Sequence, residues 1–224
     1  MRRALLIVGK APRAGRTKTR LVPPLSPDAA AALYRGFLLD SLSLGLELGW
    51  ERLTVVHPRG SGHALVNLVP PTVCLFEQPA DGLQDALTAA FEAHLAAGFD
   101  RVVVIGSDNP TLPRRALDAA CMALATHDVA IGPSTDGGFY LLGLRQPHAA
   151  LFESIEWSTP RVYAQIRANA DALGLGVATV DMWYDVDEPA DLDHLQHELQ
   201  MLPPTIAAHT RVALEQIVLP ALPH

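Results

Sequence analysis

Four short segments carry residue types able to act on a charged small molecule. Residues 10 to 21, KAPRAGRTKTRL, hold Lys10, Arg13, Arg16, Lys18 and Arg20 without one acid, and Lys10 and Lys18 are the only lysines in the chain. A phosphate group is held by fixed donors and positive charge; arginine offers a planar fork and lysine a point charge. The segment therefore reads as an anion-binding loop, or as a solvated basic loop. It fits neither the Walker A pattern nor Gly-x-Gly-x-x-Gly. In IGSDNPTLP, residues 105 to 113, Asp108 follows an apolar run. A carboxylate there can hold a divalent cation that bridges a diphosphate, or it can cap a helix or close an Asx turn.

Two further segments add carboxylates. In GPSTDGGFY, residues 132 to 140, Gly137 and Gly138 permit close approach of a ligand to the backbone, and Asp136 can meet a sugar hydroxyl or a metal. The same letters also write a hairpin turn. In WYDVDEP, residues 183 to 189, Asp185 and Asp187 are two apart. In an extended chain they face the same way. Their repulsion would raise one pKa unless a cation intervenes. Asp187 is also placed to cap a helix that starts at Glu188-Pro189, which does not prevent Asp185 from acting as a ligand.

These segments must be positioned by the elements between them. ALLIVG (4 to 9), LTVVH (53 to 57), TVCLFE (72 to 77), RVVVIG (101 to 106), DVAIGP (128 to 133), FYLLGL (139 to 144) and GVATV (176 to 180) read as strands, with RVVVIG central. Ser26-Pro27-Asp28 opens a helix to about Leu48. Further helices are expected from about His63 to Leu68, 82 to 98, Pro113 to about Thr126, Thr159-Pro160 to about Leu173, Glu188-Pro189 to about Leu199, and Thr205 to Val218. The alternation predicts one α/β domain over residues 1 to 224, a three-layer α/β/α arrangement with a mostly parallel sheet and a C-terminal helical extension from about 203. In such sheets ligands bind beyond the carboxyl ends of the strands, where residues 10–21, 107–113 and 132–138 fall.

Bulk properties narrow the classes. A formal net charge of -7 argues against nucleic acid as a partner, while small anions respond to local charge. Cys74 and Cys121 lie in neither a zinc nor a disulfide pattern and read as buried, inert thiols. No signal peptide and no membrane span is read, so a cytoplasmic location is expected. The final helix and LVNLVPP (65 to 71) could serve a homodimer, with core burial the competing use.

Five motifs occur in order: Lys-x-Pro-x-x-Gly-x-x-Lys-Thr-Arg-Leu, Gly-Ser-Asp-x-Pro, Gly-Pro-x-x-Asp-Gly-Gly-Phe-Tyr-Leu-Leu-Gly, Trp-Ser-Thr and Asp-x-Asp-x-Pro-x-Asp-Leu. With them, residues 3 to 200 resemble the radical-SAM/selenodomain-associated transferase family, some of whose members are assigned to arsenosugar biosynthesis as glycosyltransferases. That family has the nucleotide-diphospho-sugar transferase (GT-A) fold. The chain is also similar to phospholactate guanylyltransferase. The resemblance implies that Lys10, Arg16, Lys18 and Arg20 embrace nucleotide phosphates, and that the segment containing Gln78 and Gly82 reads the nucleobase. It implies that Asp108 binds magnesium or manganese as well as the nucleotide, with Asp187 completing the metal site. Only one acid stands where the family's Asp-x-Asp region has two. Asp136, Gly137, Gly138 and Trp157 would lie by the sugar or acceptor, with Asp136 as general base; Trp157 suits the core equally.

The leading expectation is a metal-dependent glycosyltransferase that passes a sugar from a nucleotide-activated donor to a small acceptor. The alternative is a nucleotidyltransferase that couples an NTP to a phosphorylated small molecule and releases pyrophosphate; the dense basic loop suits a triphosphate. A non-catalytic nucleotide-binding domain is the third reading.

Overall fold

The computed structural model describes residues 1–217. The strands are β1 (Arg3–Val8), β2 (Arg52–His57), β3 (Cys74–Glu77), β4 (Arg101–Gly106), β5 (Val129–Pro133), β6 (Phe139–Leu144) and β7 (Val177–Thr179). They form one sheet in the order β3-β2-β1-β4-β6-β5-β7, with β4 in the middle as expected. The helices are α1 (Pro27–Glu47), α2 (Gly62–Val66), α3 (Leu83–Ala96), α4 (Arg114–Ala123), α5 (Val162–Ala172), α6 (Pro189–Met201) and α7 (Ala208–Gln216). The expected final helix reached Val218, which lies outside the described residues. A single α/β domain results.

Side-chain alternation along the strands explains the layering. Leu5 and Ile7 of β1 pack with Leu38 and Leu42 of α1 and Leu117 of α4 on one face. Ala4 and Leu6 face the other way, toward Leu87 and Phe91 of α3 and Ile166 of α5. A third cluster joins the outer side of α1 to α6 and α7 through Leu33, Phe37, Leu195 and Ala213.

Several boundaries differ from expectation for local reasons. Helix α5 begins at Val162 rather than at Thr159-Pro160; ahead of it the Thr159 hydroxyl donates to the Glu156 carbonyl at 2.7 Å and accepts the Arg161 N–H at 3.3 Å, closing a turn. Helix α7 starts later than Thr205 because its amino end is capped from a distance. Asp40 of α1 accepts the backbone N–H groups of His209 at 3.0 Å and Thr210 at 2.8 Å. Gly36, one turn earlier, lets the two helices touch: a Cβ there would lie 2.9 Å from the Thr210 Cα.

One strand near the middle of the sheet runs against its neighbours. β6 pairs antiparallel with both β4 and β5. The β5–β6 turn therefore reaches the same edge of the sheet as the carboxyl ends of β1 and β4, bringing residues 134–138 beside the loops after those two strands.

Candidate active site

The loop after β1 is held from both ends. Tyr34 of α1 accepts the Lys10 backbone N–H at 2.9 Å, and its hydroxyl pairs with Ser107 at the end of β4 at 2.8 Å. Within the loop, the Thr17 hydroxyl accepts from the Arg13 N–H at 2.8 Å and donates to the Arg13 carbonyl at 2.9 Å. These bonds fix the turn that delivers Lys18, whose backbone is left-handed (φ 50°).

Lys18 is buried, with a side chain 4% exposed, and its Nζ lies 2.7 Å from Asp108 Oδ1 and 2.8 Å from Asp187 Oδ1. Burial alone would push this ammonium's pKa down; the charges of Asp108 and Asp187 outweigh burial and hold it above its ordinary value. The effect on Asp187 is reciprocal. Burial pushes its carboxyl up, but Lys18 and then Arg20 prevail and hold it below the usual carboxylate range. Arg20 donates to Asp187 Oδ2 at 2.6 Å and pairs with Glu188 at 3.3 Å.

Asp187 is free for these contacts because it is not the helix cap. Glu188 and Asp191 form a capping box at the start of α6, and Asp191 also accepts the Asp187 backbone N–H at 3.0 Å. Asp185 and Asp187 face the cleft together, while Val186 between them is fully buried and donates its N–H to the Asp108 carbonyl. Asp185 accepts from Asn109 at 2.9 Å and Ser134 at 2.5 Å. Burial raises its pKa to about 6, with the Ser134 hydrogen bond opposing and the Asp108 charge adding to the rise.

The carboxyl edge carries two adjoining cavities. The first, about 310 Å³, is lined by Lys10, Lys18, Arg20, Tyr34, Pro58, Gln78, Asp108 and Asp187, among others. The second, about 610 Å³, is lined by Leu83, Leu87, Phe139, Trp157, Asp136, Gly138 and Asp185 together with Arg20, Asp108 and Asp187. Arg20, Asp108 and Asp187 thus stand at the junction. Asp136 sits on the hairpin turn that its motif also allowed, and its carboxylate accepts the Gly138 N–H at 2.8 Å. Trp157 is half-buried, with its Nε1 3.4 Å from Gln84 Oε1.

Most of the residues singled out from the sequence converge here. Lys10, Lys18, Arg20, Gln78, Asp108 and Asp187 line the first cavity, and Asp136, Gly138 and Trp157 the second. Arg16 is exposed on the outer part of the loop and lines neither. Gly82, at φ 117°, lines neither cavity but a further hollow with Asp81 and Asp85, which shares Leu83, Trp157 and Ser158 with the second cavity. Gly137 packs under the chain rather than facing the cavity: a Cβ there would lie 2.2 Å from the Pro160 carbonyl oxygen. Sequence reasoning missed Tyr34 and Ser107, whose contact spans 73 residues, and the apolar wall of Leu83, Leu87 and Phe139.

Asp108 and Asp187 bracket one cation, the Lys18 ammonium. Among the described residues no group of three or more His, Cys, Asp or Glu side chains is arranged to hold a metal. Magnesium is commonly bound by one or two carboxylates with substrate phosphates and water completing its shell. An ion held by Asp108 and Asp187 would have to share the carboxylate oxygens that Lys18 and Arg20 contact, with a nucleotide's phosphates supplying the rest of its shell.

The family model for an uncharacterized protein conserved in bacteria (DUF2064) matches residues 42–159. The chain belongs to this family. The DUF2064 chain is 33% identical over 187 residues to the 2-phospho-L-lactate guanylyltransferase of Halorubrum lacusprofundi, covering 80% of this chain and 79% of that one. It is 32% identical over 188 residues to the 3-phospho-D-glycerate guanylyltransferase of Phenylobacterium zucineum, covering 78% and 81%. A crystal structure from Desulfovibrio desulfuricans G20, assigned as a nucleotide-diphospho-sugar transferase, superposes with a TM-score of 0.86 at 29% identity over 96% of this chain and 98% of that one. The DUF2064 chain is an enzyme, a transferase with the nucleotide-diphospho-sugar transferase fold. Among its described residues, no helix is long and apolar enough to cross a membrane.

Proposed function

We propose that the protein is a metal-dependent nucleotidyltransferase that joins the nucleotidyl group of an NTP, GTP in the first instance, to the phosphate of a small acceptor and releases pyrophosphate. The observation that carries this reading is the pair of adjoining cavities. One is cationic and shaped by the basic loop, the other is partly apolar, and they meet at Arg20, Asp108 and Asp187. The names of the curated relatives reverse the order of the two enzyme readings drawn from sequence alone. They also favour guanine as the base.

An acceptor phosphate oxygen forms the new bond to the α-phosphorus as the bond from that phosphorus to the β-phosphate oxygen breaks. The electron pair leaves on pyrophosphate. Lys10, Lys18 and Arg20 bind the triphosphate and meet the charge on the leaving group, in a site whose donors are already oriented. Magnesium or manganese, held by Asp108 and Asp187 with the nucleotide's phosphates, would supply further charge neutralisation. The acceptor phosphate is already an anionic nucleophile, so Asp136 is a substrate-contacting residue in this reaction and need not remove a proton. Asp108 orients the phosphates and is held toward Lys18.

A glycosyltransferase remains the second reading, favoured by the Asp136 carboxylate in the second cavity beside Trp157, where an acceptor hydroxyl could give up its proton. Assays of pyrophosphate release from each NTP, with a panel of phosphorylated acceptors, and of NDP release from NDP-sugars separate the two, each with magnesium, manganese or EDTA. Pyrophosphate formed from GTP only with an acceptor and a divalent ion is the expected result. NDP released from a sugar nucleotide, with GTP inert, would replace this reading by the glycosyltransferase. Nucleotide binding without turnover in either assay would leave the non-catalytic domain.

A further inference from the structure

The acceptor side of the cleft has a composition at odds with the acceptors in the relatives' names, which carry a carboxylate beside the phosphate. A carboxylate-bearing body calls for a cation. Among the described residues that line the second cavity the only cationic one is Arg20, already engaged by Asp187 at 2.6 Å and Glu188 at 3.3 Å. Against it stand four carboxylates, Asp108, Asp136, Asp185 and Asp187. Arg161, next to the lining residue Pro160, is paired with Glu156. If Asp108 and Asp187 are occupied with cations at the junction, Asp136 and Asp185 remain in the body of the cavity. Both are acceptors of hydrogen bonds when ionised.

Much of the remaining wall is apolar, from Leu83 and Leu87 of α3, Phe139, Trp157 and Val162, with Ser158 and Thr159 following Trp157. The Trp157 indole N–H points to Gln84 Oε1 at 3.4 Å, and the residue lines the cavity. Carboxylates that accept from hydroxyls, sharing one cavity with an aromatic ring and aliphatic side chains, suit a molecule with hydroxyl edges and a C–H face. They repel a second anion.

We propose that this cavity takes an acceptor whose body beyond its phosphate is hydroxylated and uncharged, a phosphorylated polyol or sugar, and that Asp136 and the Trp157 face discriminate it from a phosphorylated carboxylic acid. The inference rests on the nucleotidyltransferase reading for the placement of the acceptor phosphate at the junction.

The decisive pair of probes is sn-glycerol 3-phosphate and 3-phosphoglycerate, which differ by a hydroxymethyl group in place of a carboxylate. Glucose 1-phosphate and phosphoethanolamine extend the set to a ring and to a cationic body. Each is titrated calorimetrically into the full chain loaded with a non-hydrolysable GTP analogue and magnesium, and each is assayed for pyrophosphate release with GTP. The expected result is at least about tenfold tighter binding of the hydroxylated phosphates than of 3-phosphoglycerate, the size set by a like charge placed near carboxylates that have no cationic partner. Equal or tighter binding of 3-phosphoglycerate, a preference for phosphoethanolamine, or no binding of either hydroxylated phosphate overturns it. Asp136→Asn keeps the acceptor atom that holds the Gly138 N–H and removes the charge. It should narrow the ratio by about tenfold while the GTP analogue binds as before; a change shared equally by both probes overturns the role of Asp136. Binding of the hydroxylated phosphates without pyrophosphate release would support this inference and sink the nucleotidyltransferase reading, so the two fail separately.

Discussion

Lys18 and Asp136 belong to the two halves of one cleft, and their surroundings differ in kind. Lys18 is buried, on a loop tied to α1 and β4 through Tyr34, with its charge clasped between two carboxylates. Asp136 is exposed at the tip of a hairpin, and its side chain has one bond, to a backbone N–H two residues on. The half that we propose holds the nucleotide is preorganised: its charges are held in place by the fold, which suits a partner such as a nucleotide phosphate chain whose chemistry is the same in every substrate. The acceptor half is a shaped wall with few fixed polar contacts, so its selectivity can change through one or two side chains without disturbing the other half.

Breaking the nucleotide half should have the largest effect. Lys18→Met removes the cation between Asp108 and Asp187 and should lower kcat/KM for nucleotidyl transfer by about a thousandfold, measured by pyrophosphate release. It should also destabilise the protein by about 1–3 kcal/mol, less than for a fully buried pair because both carboxylates keep about a third of their exposure. The pH dependence of that loss is fixed in sign. Asp187 is depressed in the folded state, so the stability from its pairing is present above its unfolded value of 3.8 and is lost as pH falls through its lower folded value. The Lys18 pKa is raised, so its contribution persists below 10.5 and disappears only as pH rises through a still higher value. The melting-temperature gap between wild type and Lys18→Met should thus be wide near neutrality and close in strong acid. A gap independent of pH would remove the ion pair as its cause.

Arg20 tests the junction. Arg20→Ala should reduce kcat/KM by about ten- to a hundredfold and raise KM for both substrates, because a charge-assisted contact shared by both cavities is lost. An effect on one substrate alone would mean that the halves are independent at this point. Trp157→Ala should be felt only in the acceptor half, with acceptor KM raised about tenfold and nucleotide affinity by calorimetry unchanged. The smallest effect is expected from Asp191→Ala. Loss of the capping box should cost about 1 kcal/mol in denaturant unfolding, with a modest rise in nucleotide KM as Asp187 loses the bond that steadies its backbone.

The nucleotide half was far more legible in the sequence than the acceptor half, and the reason is local density. Lys10, Lys18 and Arg20 lie in one loop, and a loop after a buried strand has only one edge of the sheet on which to lie. Asp185 and Asp187 announced a shared face by their spacing, and the face is shared. The strand order was less legible, because a reversed β6 between β4 and β5 depends on contacts far apart in the chain. The Tyr34–Ser107 contact has no sequence signature, since a tyrosine in mid-helix reads as core. Gly137 was legible as a close approach but not as to which group approaches; the chain itself, at Pro160, fills the space. Asp187 read equally well as a helix cap; Glu188 and Asp191 take that role, the second of them four residues further on.

The clamp of Asp40 on α7 has a consequence in time. A chain made on the ribosome emerges from its amino end, and Asp40 precedes the Thr210 amide it holds by 170 residues. At ordinary elongation rates that interval is about 10–30 s. During it the side of α1 that will meet α7 has no cover, and the same helix bears Tyr34, which steadies the loop after β1. The loop that we propose holds the phosphates, made early, is therefore among the last to be secured, so on that proposal nascent chains should need α7 before they can grip a nucleotide.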